Sequence, residues 1–145
     1  MNIAIDPGTT HSAFVQFHNG KVIDHGHLPN EEMRQVLIGR EYTRCACEMI
    51  ASYGMAVGAS TFETCVWIGR FIEVARVDVE PIFRKDIKLF LCGTMRAKDA
   101  NIRQALIDKV GPQGTKAQPG PTYGIKSHSW AALAVAVYAA QQKEK

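Results

Sequence analysis

The sequence contains no apolar run long enough to span a membrane, and its first residues lack the charged, apolar and small-residue order of a signal peptide. Its net charge is also small, because 17 Lys and Arg face 14 Asp and Glu to give +3. We therefore expect a cytoplasmic protein with no membrane partner, and composition alone does not indicate a nucleic-acid binder. A length of 145 residues with 46% apolar content predicts one domain over 1–145, with no internal repeat.

The cysteines lack the additional ligands that a zinc site requires. Cys45-Ala46-Cys47 could belong to a zinc knuckle, but no further Cys or His pair follows at ligand spacing. In a chain without a secretion signal, the alternative is that the cysteines are reduced and buried. We expect reduced, buried thiols.

A mild basic bias is found in the second half of the chain. Residues 70–109 contain nine Lys or Arg and six Asp or Glu, and residues 110–130 contain two Lys and no acid. This pattern is compatible with ordinary solvated charge and equally with phosphate contacts.

The hydrophobic periodicity predicts three strands, joined between the second and third by an Asn19-Gly20 hairpin turn, and then alternating helices and strands. Asn30 is the predicted cap of the first helix, Ser60 to Glu63 form a predicted capping box, and Pro81 indicates an edge strand. The predicted strands are 2–6, 11–18, 21–27, 43–50 and 77–83, and the predicted helices are 31–41, 60–75, 84–91, 98–110 and 130–140. This order predicts an α/β protein with a ribonuclease H-like mixed five-stranded sheet flanked by helices.

Two carboxylates stand at the ends of predicted buried strands. Asp6 closes the first strand before a Pro-Gly turn, and Glu48 is an acid within an otherwise apolar strand. Phosphodiester cleavage with two metal ions needs carboxylates that converge on ions about 3.5–4 Å apart. Alternatively, Asp6 could cap the turn through the amides of Thr9 or Thr10. Glu48 could likewise form a salt bridge with Arg44 or Arg40.

Four segments, in order along nearly the whole chain, carry a resemblance to a known family. IAIDPGTTHSAFV and Cys47-Glu48 resemble the first and second motifs of the RuvC-type Holliday-junction resolvases, closest to their compact phage-encoded branch. Lys88, Gly93 and residues 97–102 resemble the stretch before the fifth helix of that family. Residues 128–137 resemble its last motif.

The resemblance implies a metal-dependent endonuclease that nicks Holliday junctions and other branched DNA as a homodimer, in a bacterial or phage-infected cell. Mg²⁺ or Mn²⁺ is the implied cofactor. Asp6 and Glu48 match the first two metal ligands, and Lys88 matches a basic position near the scissile phosphate. His128 stands where most relatives carry the third acid, and an imidazole there has precedent in the family. Ala131 replaces the fourth acid.

Asp99 is an acid where the family usually has a basic residue, so it could help to replace the missing ligand. The implied catalytic residues are Asp6, Glu48, Lys88 and His128, and the implied metal ligands are Asp6, Glu48, Asp99 and His128. The expected DNA-binding residues are Arg84, Lys85, Arg96, Lys98, Lys116 and Lys126. His11, His18, His25 and His27 are interpreted as ordinary hairpin residues.

Two larger segments are assigned to DNA binding and to dimer formation. Residues 111–126 contain four Gly and three Pro, which predicts a loop that is mobile without DNA and ordered with it. The exposed part of the 60–75 helix is the candidate dimer surface, through Phe62, Trp67 and Phe71, although these aromatics could equally be core residues.

Two other functions remain open at this point. Asp-x-Gly-Thr-Thr also resembles the first phosphate loop of the actin and heat-shock ATPases, but those enzymes need two duplicated domains and a second phosphate loop. The absence of an acid at Ala131 also fits a branched-DNA-binding protein that no longer cleaves. Its basic face would recognise phosphate spacing.

Overall fold

Five strands form a mixed sheet in the computed structural model, which describes residues 1–142. They are β1 (Asn2–Asp6), β2 (His11–His18), β3 (Lys21–Pro29), β4 (Arg44–Met49) and β5 (Val79–Phe83). Their order across the sheet is β3-β2-β1-β4-β5. The first three pair antiparallel, whereas β4 pairs parallel with both β1 and β5. The predicted fold class is confirmed, and β5, which contains Pro81, is an edge strand as predicted.

Five helices cover the two faces of the sheet. They are α1 (Asn30–Gly39), α2 (Ala59–Val74), α3 (Arg84–Cys92), α4 (Asp99–Val110) and α5 (His128–Gln142). Side chains of α1 and α2 pack on one face, and those of α3, α4 and α5 pack on the other. Within residues 1–142 we find no helix that combines the length and the apolarity needed to cross a membrane.

The two-residue period of β1 and β4 sorts their side chains between these faces. Ile3, Ile5, Cys45 and Cys47 point toward α1 and α2, and the alternate residues, which include both acids, point toward α5. Burial raises the pKa of the Cys45 thiol to about 12, so this thiol stays protonated. The expectation of buried thiols holds for Cys45 and Cys47, but Cys65 is exposed because it lies on the outer side of α2.

The β2–β3 hairpin contains an irregularity that repositions one strand. Asn19 and Gly20 both have positive φ, 51° and 76°, as the predicted turn requires. Phe17 pairs with Val22 and Gln16 pairs with Asp24, so Ile23 is an extra residue in β3. This bulge shifts the pairing by one residue. As a result, His27 is opposite Ala13 and His25 is opposite Val15, on the face that packs against α5.

Two predicted helix caps are wrong. The Asn30 side chain does not cap α1, because it accepts a hydrogen bond from Ser12 Oγ (2.6 Å) and donates one to the Gly8 carbonyl (2.9 Å). The Ser60–Glu63 capping box is absent from α2, since the extended Gly58 is the cap and Ser60 already lies inside the first turn. The buried Ser12–Asn30 pair instead fixes the turn that follows Asp6.

The helix assigned to dimer contacts is only partly exposed. Phe71 is fully buried against the sheet, so its assignment to a dimer surface is wrong. Trp67 is half-buried and its ring centroid lies 6.0 Å from that of Phe71. Phe62, in contrast, has 62% of its surface exposed.

Helix α5 is apolar on most of its circumference and packs against β1 and β2. Its alanines, among them Ala132, Ala134 and Ala136, are buried and allow the helix to approach the sheet closely. This packing places the first residue of the helix, His128, beside the end of β1.

Candidate active site

Asp6 and Glu48 meet at the carboxyl ends of β1 and β4. The parallel register pairs Ile5 with Cys47, so the next residue on each strand is an acid. Asp6 is 9% exposed. Burial raises the pKa of both carboxyls, and the charge of Asp6 raises the pKa of Glu48 further. Two like charges with limited access to water therefore attract a cation.

His128 is the group in contact with Asp6. Its Nδ1 lies 3.2 Å from Asp6 Oδ2, and a protonated Nδ1 donates to the carboxylate. The interaction lowers the pKa of Asp6 and so opposes the effect of burial. The side chain of His128 is 67% exposed, so the opposite side of the ring faces solvent. Asp6 contacts this imidazole rather than capping the turn at Thr9 or Thr10, where Ser12 and Asn30 hold the Gly8 backbone.

Arg84 connects Glu48 to Asp99. Its guanidinium donates to Glu48 Oε1 at 3.5 Å and forms an ion pair with the carboxylate of Asp99. Its charge also lowers the pKa of Asp6 and of Glu48. Arg84 is the first residue of α3, and its position follows from the end of β5 beside β4.

The salt bridges that the sequence suggested for Glu48 are wrong. Arg44 pairs with Glu80 on the neighbouring strand at 2.9 Å, and Arg40 pairs with Asp24. Both arginines therefore have other carboxylate partners. Glu48 lies on the face of the sheet that packs against α5, and its salt-bridge partner is Arg84 of α3.

Asp6, Arg84, Asp99 and His128, but not Glu48, line an open cleft of about 420 Å³. Two arginines, two acids and His128 contribute its polar side, and Ala131 lies in its wall where an acid was missing from the sequence pattern. The polar lining residues are Asp6, Arg84, Asp99, Arg103, Ser127 and His128. Arg103 was not among the predicted site residues, and its guanidinium lies 5.7 Å from the ring centroid of Trp130.

Other predicted residues lie outside this cleft lining. Lys88 is one turn beyond Arg84 on α3 and is half-buried. The remaining predicted DNA-binding residues are exposed, on α3 and on the segments that precede α4 and α5. They are Lys85, Arg96, Lys98, Lys116 and Lys126.

Two histidines were missed by the sequence analysis. The rings of His27 and His128 are stacked, with centroids 5.3 Å apart, and His11 follows with its centroid 5.5 Å from that of His27. Burial lowers the pKa of His27, and the neighbouring His128 and His11 lower it further. If the strands paired without interruption from the Asn19-Gly20 turn, His27 would be opposite Ser12, on the face that packs against α1 and α2. Only the bulge at Ile23 brings it to the site.

The donor groups at this end of the sheet fit a divalent cation in their chemistry but do not enclose one. Among residues 1–142, no three His, Cys, Asp or Glu side chains converge in the manner of a metal site in this conformation. The chemistry nevertheless fits, because two carboxylates with raised pKa are joined by a further carboxylate and an imidazole. Arg84 forms ion pairs with both Glu48 and Asp99, so it neutralises negative charge that a bound metal ion would neutralise in its place.

The strand order and the carboxylates at the central strand ends define an α/β protein of ribonuclease H-like fold. Among solved structures, RuvC of Thermus thermophilus is similar with a TM-score of 0.66 and 17% identity, over 97% of this chain and 96% of that chain. T. thermophilus RuvC in complex with Holliday junction substrate gives a TM-score of 0.64 at 17% identity, over 97% and 95%.

At this level of identity, the similarity establishes a RuvC-like fold. No protein-family model and no curated protein matches the sequence.

Proposed function

We propose that this protein is a metal-dependent endonuclease that nicks Holliday junctions and other branched DNA. The observation that carries the proposal is the convergence of the buried Asp6 and the partly buried Glu48 at the ends of adjacent strands, beside a cleft that Asp6, Arg84 and Arg103 line. The RuvC-like fold supports it, since one of the similar structures is RuvC in complex with Holliday junction substrate. We further propose a single domain that acts in the cytoplasm and is related to the compact phage-encoded branch of these enzymes.

Each polar group of the site has a proposed task. Asp6 and Glu48 would hold Mg²⁺ or Mn²⁺, with His128 and Asp99 completing the donor set. The bound ion supplies Lewis-acid stabilisation of the charge that develops on the phosphate. Arg84, released from Glu48, and Arg103 from the cleft wall pair with phosphate oxygens. Lys88 adds a positive charge one helical turn from Arg84.

DNA binding is assigned to the exposed basic residues of α3 and of the segments that precede α4 and α5. Arg96 and Lys98 precede α4, and Lys116 and Lys126 lie on the segment between α4 and α5. Lysine and arginine contacts to phosphates are sequence-independent and weaken with added salt. Recognition would therefore depend on the branched shape of the DNA rather than on its sequence.

A homodimer is proposed because a four-way junction requires two symmetric nicks. The outer side of α2 exposes Phe62 and Val66, with 62% and 55% of their surfaces accessible. We expect Phe62→Glu with Val66→Glu to give monomers in sedimentation experiments, whereas Leu89→Glu, an exposed apolar position on α3, should not. A wild-type monomer at all concentrations would contradict this assignment.

Cleavage is tested with a labelled four-way junction in Mg²⁺, in Mn²⁺ and in EDTA. We expect wild-type nicking only with metal, and more than tenfold slower nicking by Asp6→Asn, a loss of at least ~1.4 kcal/mol of transition-state stabilisation. Binding and folding of that variant should remain near normal. The matched control is Asp108→Asn, which changes an exposed acid on α4 and should nick like the wild type. Wild-type protein that never nicks would refute the proposal.

A second function, branched-DNA binding without cleavage, is favoured by one observation. Ala131 lines the cleft at the position of an absent acid, so the donor set is short of one carboxylate. The same assay separates the two functions. Tight junction binding without nicking in either metal would support the binding protein.

A further inference from the structure

A second cleft, of about 330 Å³, lies beside Asp6. It shares Asp6 and His128 with the arginine-lined cleft, but its other walls are the turn at 7–10, His11 and His27. In the strand order, β2 and β3 lie on one side of β1, whereas β4 and β5 lie on the other. The two clefts therefore extend in opposite directions from Asp6. The volume of the second cleft is at the lower end of the roughly 300–1,000 Å³ typical of small-ligand sites.

One wall of this second cleft is the histidine stack, formed by His11, His27 and His128. Successive ring centroids are 5.5 and 5.3 Å apart, and the interplanar angles are 36° and 20°. All three side chains are exposed, although β2, β3 and α5 each supply one of them. The stack is therefore an aromatic surface open to solvent rather than part of the core.

The opposite wall is a turn that the fold holds firmly. The Gly8 amide donates to Ser12 Oγ at 3.1 Å, and its carbonyl accepts from the buried Asn30. A Cβ on Gly8 would lie 2.2 Å from the carbonyl oxygen of His11, so the main chain of the turn contacts the start of β2 directly. The hydroxyl of Thr10 lies 3.0 Å from His11 Nδ1. The polar turn and the histidine stack are thus fixed relative to each other.

We infer that this second cleft binds one nucleotide of the DNA strand that passes over Asp6, with the base against the histidine stack and the sugar-phosphate against the 7–10 turn. The inference rests on the proposed function, because it places the strand next to the proposed scissile phosphate. Aromatic rings stack on any base, so the contact would not select sequence. Strand binding would then extend from the arginine-lined cleft across Asp6 to the histidine stack.

The experiment measures junction binding in EDTA, where no cleavage occurs. Loss of base stacking by alanine substitution costs ~1–3 kcal/mol, which corresponds to roughly 5- to 150-fold in affinity. We expect His27→Ala and His11→Ala each to weaken binding about fivefold or more, and His27→Phe, which keeps a ring, to bind within about twofold of wild type. The matched control is His18→Ala, an exposed histidine at the far end of β2, which should bind like the wild type.

A second arm replaces single nucleotides at the branch point by abasic sites. One such replacement should weaken wild-type binding and have no further effect on His27→Ala, because both changes remove the same contact between a base and the histidine stack. Unchanged affinity of folded His27→Ala and His11→Ala, or equal abasic penalties in wild type and His27→Ala, would overturn the inference. Displacement of the junction by a free deoxynucleoside monophosphate, lost in His27→Ala, would assign the cleft to free nucleotides and would also overturn it.

Failure of this inference and failure of the proposed function give different results. If the histidine variants bind like the wild type, metal-dependent nicking is untouched. If the wild type never nicks but binding depends on His27, the second cleft belongs to a binding protein.

Discussion

Arg84 illustrates how one side chain can determine the electrostatics of the whole site. Burial raises the pKa of Asp6 and of Glu48, and the charge of the Arg84 guanidinium, which also pairs with Asp99, lowers both. In the absence of metal, Arg84 is therefore the permanent positive charge that stabilises both acids in their ionised form. A divalent cation has to replace this interaction before it can use all the carboxylates.

The first prediction at this scale concerns Arg84→Gln. Without metal, the variant should have a lower melting temperature than the wild type, because the two acids lose their counter-charge. Mn²⁺ should raise the melting temperature of Arg84→Gln by more than that of the wild type, since the ion no longer competes with an arginine. Thermal unfolding in EDTA and in Mn²⁺ measures both. Arg103→Gln, in the same cleft but not bonded to Glu48, is the control, and equal Mn²⁺ shifts in wild type and Arg84→Gln would contradict the prediction.

The second prediction concerns metal preference, through His128 and Ala131. Imidazole suits softer divalent ions better than Mg²⁺, so nicking should be faster with Mn²⁺ than with Mg²⁺. Ala131→Asp adds a carboxylate to the cleft wall, one turn from His128, and should raise Mg²⁺-supported nicking. His128→Asp should narrow the gap between the two metals, and His128→Ala should slow nicking with both.

Nicking rates of the three variants in Mg²⁺ and in Mn²⁺ test whether His128 is a metal ligand. If His128→Ala is as fast as the wild type in both metals, His128 is not a ligand. Asp99 then becomes the third candidate, because it is the other acid in the cleft.

Among the elements, the strands were predicted more accurately than the details of the helix ends. The bounds of β1 and β2 follow from alternation, and both turn residues at Asn19-Gly20 have the predicted positive φ. Asn30 was misassigned because a cap and a long-range partner look alike in sequence. Its partners, Gly8 and Ser12, are more than a dozen residues away. Local chemistry therefore specifies the strands, and tertiary contacts decide the caps.

The segment between α4 and α5 is more structured than its glycines and prolines indicated. Gly114 and Pro119 form a β-bridge, and the Thr115 amide donates to the Gln118 carbonyl at 3.0 Å. At its base, the fully buried Thr122 donates its hydroxyl to the Gly111 carbonyl at 2.9 Å. The segment thus has an exposed tip and a packed base. The predicted ordering on DNA is best tested at the tip.

Deletion of 115–118 is the prediction at the scale of elements. It removes Lys116 and the exposed tip but leaves the contacts of Thr122, so junction binding should weaken while the melting temperature changes little. Thr122→Val should do the opposite. It leaves a buried carbonyl without its donor, which typically costs ~1–3 kcal/mol of stability. Equilibrium binding and thermal unfolding of both variants provide the comparison, and unchanged binding by the deletion would make the tip a simple connector.

At the scale of the whole molecule, the order of the elements was sufficient to predict the sheet, and the sheet in turn brought Asp6 and Glu48 together. What the sequence could not specify was the set of groups that helices add to this pair. Arg84, Asp99 and Arg103 meet at the cleft only because of how α3 and α4 pack, and these packing angles leave no local sequence pattern. The sequence predicted Arg84 as a DNA-binding residue and Asp99 as a possible metal ligand, but it did not predict Arg103.

The two acids at the ends of β1 and β4 predict how the free energy of unfolding depends on pH. The pKa values of Asp6 and Glu48 are raised above their ordinary values of 3.8 and 4.5, so the folded state binds protons more tightly than the unfolded state. In EDTA, the free energy of unfolding should therefore fall as pH rises from about 4 through the raised pKa values. Burial raises the pKa of Asp24, but its hydrogen bonds to Arg40 and to the His25 amide, together with nearby positive charge, lower it more, so the net shift is downward. The contribution of Asp24 to stability is therefore lost on acidification, at lower pH.

Urea denaturation at a series of pH values measures this slope. The double variant Asp6→Asn, Glu48→Gln should flatten it, and Asp108→Asn should leave it unchanged. A wild-type stability that rises with pH over this interval would contradict the assignment of the two raised pKa values.

The bulge at Ile23 has a consequence for how such a surface can arise. Ile23 contacts neither cleft, and it is an exposed residue near the hairpin turn. Because side chains alternate along a strand, this single extra residue exchanges the faces of everything that follows it in β3. Without it, His25 and His27 would point toward α1, and the histidine stack would lose its middle ring. The insertion of a single apolar residue, far from the carboxylates, is thus sufficient to bring a histidine of an ordinary hairpin into the wall of the second cleft.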